Sequence, residues 1–123
     1  MAMRTVTIAV TTDADQVGST TLPHSRSGLI EALEFDFSGD AAATTDTTVT
    51  CVDSAGKVTA ILTLTDIKTD GRYLPRTVSH TLAGVAQTAY EHKIPFYGFL
   101  KVAVAQGGVS VPDCVSVKIY YST

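Results

Sequence analysis

Two alternating runs near the C-terminal end constrain the fold more than any other feature of this chain. In Phe99-Leu100-Lys101-Val102-Ala103-Val104-Ala105, the residues Leu100, Val102 and Val104 recur at every second position. In Val115-Ser116-Val117-Lys118-Ile119-Tyr120-Tyr121 the same holds for Val115, Val117, Ile119 and Tyr121. Successive side chains of a strand point to opposite sides, so period two puts each set on one face. Gln106-Gly107-Gly108 and a connection bearing Pro112 punctuate the runs. They read as two core strands of an antiparallel sheet, with the remaining strands packed on or beside them.

The rest of the chain supplies those strands. Val6, Ile8 and Val10 alternate with Thr5, Thr7 and Ala9, a half-buried first strand that ends in Thr11-Thr12-Asp13. The polar run through Gly18-Ser19-Thr20-Thr21 reads as a loop, and Leu22 to Gly28 extends it or adds an edge piece limited by Pro23. Leu29 to Phe37 reads as a strand with Leu29, Leu33, Phe35 and Phe37 on one face and Glu31 as the exception. A helix over Ile30 to Glu34 is the alternative. Ala41 to Thr48 is expected to be an exposed loop. Val49 to Val52 and Val58 to Leu64 flank Asp53-Ser54-Ala55-Gly56-Lys57, which predicts a hairpin with a glycine-bearing turn. Between Ser79 and Tyr97 the pattern loosens into a helical turn or a long loop, and Pro95 returns the chain to an extended path. About seven or eight strands without βαβ alternation predict an all-β fold. The expectation is one domain over residues 1–123, an antiparallel β-sandwich of Greek-key or jelly-roll type.

Charge narrows the function. The net charge is -3 and the nine basic residues are scattered singly, so the basic patch of a nucleic-acid-binding protein is missing. Val6 to Val10 is too short and polar for a signal-peptide core, and no segment reaches the length of a membrane span. The chain is therefore expected to be used as translated, with no membrane partner. Charged residues make up only 17% of it, against about 25% in ordinary soluble domains. Either threonine-rich loops form the solvated surface, or part of that surface lies against other subunits. Cys51 and Cys114 fall in no metal-ligand pattern; they are expected to be free thiols, and their spacing is also compatible with one disulfide.

No set of residues assembles a catalyst. Ser79-His80 and Glu91-His92 are neighbours in sequence, so on a strand they point apart and cannot relay a proton; His24 stands alone. Asp13, Asp15, Asp40 and Asp46 could converge on calcium, but the loop pattern ending in glutamate is absent, and turn formation accounts for them. Gly107-Gly108 lacks the Lys-Ser/Thr of a phosphate loop and reads as a turn with positive φ. No enzyme activity, metal or cofactor is expected. Tyr73-Leu74-Pro75-Arg76 remains: an aromatic, a rigid proline and a guanidinium at a strand end. This suits docking onto another protein, and equally an edge strand guarded against unwanted pairing.

The order of these pieces resembles a known group. Tyr73 to Arg76, His80 to Gly84, Ile94-Pro95, Leu100 to Gly108 and Val115 to Tyr121 follow one another as in small capsid decoration, or cement, proteins of tailed bacteriophages. The first half shares only a threonine-rich strand ending in Thr-Thr-Asp and a hydrophobic strand after a glycine. The connection Val109 to Cys114 departs from the group, being more apolar than the Gly- and Lys-bearing turn found there. The resemblance implies a jelly-roll fold, no enzymatic activity, and a place on the outer capsid surface of the virion after synthesis in the host cytoplasm. The implied partner is the major capsid protein, bound at capsomer junctions, with a homo-oligomer, dimer or trimer, on a symmetry axis. Candidate interface residues are Tyr73, Leu74, Pro75, Arg76, Val109, Val111, Pro112, Tyr120 and Tyr121. The terminal strand Val115 to Tyr121, or the edge near Tyr73 to Arg76, is the expected self-contact. The competing functions are a head-tail connector or tail component, and a ligand- or carbohydrate-binding β-sandwich. The absence of tryptophan speaks against the last.

Overall fold

A computed structural model describes residues 2–77 and 92–123. Among them the ordered elements are all strands: β1 (Met3–Val10), β2 (Gly18–Thr21), β3 (Arg26–Phe37), β4 (Asp46–Val52), β5 (Val58–Leu64), β6 (Gly71–Tyr73), β7 (Arg76–Thr77), β8 (His92–Lys93), β9 (Pro95–Ala105) and β10 (Val115–Ser122). Every pairing is antiparallel. One layer runs β1-β10-β3-β6 and the other β2-β9-β4-β5, with β7 and β8 as a separate ribbon. The pairs nest, the outermost joining the ends of the chain: β1 with β10, β2 with β9, β3 with β6, β4 with β5. That nesting is a jelly roll, a long hairpin folded over into two facing sheets.

Alternation builds the core between the layers. Ile8 and Val10 of β1, Val115, Val117 and Ile119 of β10, and Leu33 and Phe35 of β3 face Val49 and Cys51 of β4 and Leu100, Val102 and Val104 of β9, all buried. Each fully buried Leu, Ile or Val contributes roughly 1.5–3 kcal/mol. The layers join where Arg26–Leu29 of β3 pairs with Pro95–Gly98 of β9, before β9 continues along β4. Gly98 sits at this corner with φ 133°, and a Cβ there would lie 2.4 Å from the Val52 carbonyl oxygen. Only glycine lets the two backbones approach this closely.

The expected β-sandwich, the strand over Leu29 to Phe37 and the hairpin of β4 and β5 are all present, and the alternative helix over Ile30 to Glu34 is absent. Two local readings change, those of Gly18 to Thr21 and of Ala41 to Thr48, and the structure adds where the C-terminal runs and Glu31 sit. The two C-terminal runs do not pair with each other: β10 lies between β1 and β3, whereas β9 lies between β2 and β4. Residues 106–114 are too long for a tight hairpin and carry the chain from one sheet to the other. Gly18 to Thr21 is not a loop but a short edge strand on β9, anchored by the Thr20 hydroxyl donating to the Ala9 carbonyl at 2.8 Å. Within Ala41 to Thr48, Ala41, Thr45 and Thr47 are buried, and β4 already begins at Asp46. Glu31 is exceptional because the register of β3 against β10 shifts there: Ala32 opposes Tyr120 and Ile30 opposes Tyr121. This β-bulge returns Ile30 to the core and leaves Glu31 unpaired.

Candidate functional site

The structure distributes the candidate interface residues rather than gathering them. Tyr73 turns inward, half-buried, its ring edge-on to Phe35 at 5.5 Å between centroids. Leu74 is 61% exposed, while the Arg76 guanidinium donates to the carbonyls of Pro75 (2.8 Å) and Glu31 (3.2 Å). At the opposite end of the sandwich Val109 is 62% exposed and Pro112 is exposed. Three candidates are corrected: Pro75, Val111 and Tyr121 are buried within the chain and are packing rather than surface. Tyr121 stands edge-on to Phe96 at 5.3 Å, and the Val111 backbone bonds reciprocally with Thr12. The expected self-contact through Val115 to Tyr121 is also excluded as a strand pairing. Both sides of β10 are occupied inside the chain.

Tyr120 belongs to a group that spans the outer face of one sheet. Register aligns Thr7, Lys118, Glu34 and Arg72 across β1, β10, β3 and β6. The Tyr120 phenol donates to Glu34 Oε1 at 2.8 Å, and Arg72 pairs with the same carboxylate. The Arg72 guanidinium carbon and Lys118 Nζ each lie 5.2 Å from the Tyr120 ring centroid, within cation–π range. The Glu34 carboxyl is held below its ordinary value by Arg72 first and Tyr120 next, and Arg72 is raised in turn. This group offers recognition chemistry and no nucleophile. Sequence reasoning named Tyr120 but missed Glu34 and Arg72, which are 38 residues apart and meet only because β6 pairs with β3.

A second polar group fastens the β7–β8 ribbon. The bulged Glu31 accepts from Lys93 Nζ at 2.7 Å and from the Ser122 hydroxyl at 2.8 Å. The Lys93 hydrogen bond, then that of Ser122, hold its carboxyl below the usual glutamate range. β8 is thereby clamped to β3 and β10 at the end where the chain enters residues 78–91.

The other candidates resolve as turn chemistry or packing. Asp13 Oδ1 accepts from the amides of Asp15 and Val17, and Asp46 Oδ1 from that of Asp66. Among the described residues no three His, Cys, Asp or Glu side chains converge as metal ligands. Gly108 has φ 101°, and a Cβ on Gly107 would meet Val104 Cγ1 at 2.7 Å, so this pair is a packed turn. His24 and His92 are exposed; Ser79, His80 and the stretch to Glu91 lie outside the described residues. Cys51 and Cys114 are buried free thiols, with burial pushing both above the ordinary thiol range. Comparison of the chain with protein-family models, curated proteins and solved structures finds no match.

Proposed function

We propose that this protein is a non-enzymatic structural component of a bacteriophage virion that decorates and stabilises the outside of the capsid, binding the major capsid protein at capsomer junctions. The observation that carries the reading is the ordered series of motifs from Tyr73 to Tyr121, and the all-β sandwich that holds β6, β9 and β10 is compatible with it. Surface chemistry supports it. Exposed apolar side chains stand at both ends of the sandwich, Leu74 at one and Val109 at the other, so a single domain can touch two neighbours. Contacts of about 800 Å² per partner, repeated over a symmetric lattice, add up to substantial bracing.

The same reading locates a self-contact for the dimer or trimer. β5 is the outer strand of its sheet, and no charged residue lies between Val58 and Leu64, where Val58 is 58% exposed. Sheet edges facing only water normally carry lysine, proline or inward charges that prevent pairing. An unguarded edge suits pairing with a second copy about a symmetry axis.

The test is co-sedimentation of purified protein with capsids of its own phage from which it has been stripped, followed by a heat challenge. Saturable binding at a fixed ratio to the major capsid protein, with raised resistance to rupture, is the expected result. Absence of binding together with ring-shaped oligomers in solution moves the assignment to a head-tail connector or tail component.

A further inference from the structure

The sequence alternation that builds the core ends in arginine at one end of the sandwich. On β1 the inward phase runs Val10, Ile8, Val6 and then Arg4; on β3 it runs Ile30, Gly28 and then Arg26. Both arginines line one open cavity of about 350 Å³, together with Ser25, Ser27, Tyr97 and the buried Tyr121. Tyr97, 72% exposed, pairs across the strands with Ser27.

No acidic side chain offsets the two arginines of this cavity, which Thr123 also lines. Of the chain's twelve acidic side chains none lines it, although they outnumber the nine basic ones. Among the described residues the only ion pairs are Arg72 with Glu34 and Lys93 with Glu31, so neither Arg4 nor Arg26 has a carboxylate partner, the terminal residue Thr123 included. Arg26 makes one bond, from Nη1 to the His24 carbonyl at 3.2 Å. Two like charges sharing a cavity repel, and the repulsion is relieved by an anion between them.

We propose that this end of the sandwich is a binding site for the carboxylate of an acidic segment on a protein partner. Guanidinium forks match the planar carboxylate bidentately, which lysine does not. The open shape and the exposed Tyr97 ring favour a polypeptide over a small enclosed anion, since arginine and tyrosine are the residues that dominate protein interfaces. The site does not depend on the virion role; it binds an acidic polypeptide whatever the partner's identity.

The test uses the full chain and hexaglutamate as the probe, following the arginine Nε–Hε and Tyr97 ring signals by NMR. Saturable shifts of Arg4, Arg26 and Tyr97 are expected while Arg72 and Arg76 stay fixed, with affinity weakening several-fold between low and physiological salt. The double variant R4Q/R26Q should lose the response; if it fails to fold, the wild-type titration and Y97A carry the test, Y97A being expected to weaken binding. Uniform, non-saturating shifts of all four arginines overturn the proposal. So does inorganic phosphate matching hexaglutamate in affinity at the same signals, which would make this a site for small anions.

Discussion

Thr47 offers the sharpest test of how this core is built. It lies on β4 between Leu64 of β5 and Val104 of β9, in the same inward phase as Val49 and Cys51, and it is 0% exposed. Its hydroxyl has no hydrogen-bond partner. An unsatisfied buried hydroxyl costs about 1–3 kcal/mol, and Thr47→Val removes it while keeping the β-branched shape. Over 123 residues the unfolding entropy is about 0.26 kcal/mol/K near the melting temperature, so that gain corresponds to a Tm rise of ~4–12 °C. Thr45 is the control. It is equally buried two residues earlier, but its hydroxyl donates to the Ala42 carbonyl, so Thr45→Val should lose about 0.5–1.5 kcal/mol and lower Tm by ~2–6 °C. Scanning calorimetry of the two variants beside wild type decides. A Tm for Thr47→Val equal to or below wild type would refute the reasoning, as would the same sign for both substitutions.

Three further outcomes follow from named contacts. Gly98→Ala should destabilise the fold by roughly 2–4 kcal/mol, because the corner φ is one that L-residues rarely adopt and the new methyl meets the Val52 carbonyl; denaturant melts measure it, and a cost under about 1 kcal/mol contradicts the corner geometry. The Glu31 carboxyl is lowered in the folded state, so its contribution is fully present above the ordinary glutamate range and is lost as pH falls through the lowered value. Glu31→Gln should therefore flatten the acid side of the Tm–pH profile, and an acid limb identical to wild type speaks against the clamp. Cys51 and Cys114 should resist a thiol reagent in the native protein and react together at the rate of global unfolding; fast labelling of either one contradicts its burial.

The sequence by itself determined the strands whose side chains alternate. β1, β4 with β5, β9 and β10 could each be read from period two and turn residues, because one face of each meets the core and the other meets water or a polar edge. The turn role of Asp13 was legible because its partners lie two and four residues on, whereas Asp46 opens β4 and accepts from the Asp66 amide 20 residues away. Tertiary structure decided everything that depends on partners distant in the chain. Ser19 to Thr21 is a strand only because the β9 edge lies beside it, and the buried threonines of the 41–48 stretch are inside only because β9 and β5 flank β4. Glu31 looked like an error in a pattern until the bulge against β10 gave it a position, and Lys93 gave it a partner 62 residues away. Arg4 and Arg26 each ended a readable alternation, but nothing local says that two strand ends share one cavity. Alternation is a property of a strand and its own residues; which strands face each other, and which charges they bring together, is set by how the long hairpin folds over.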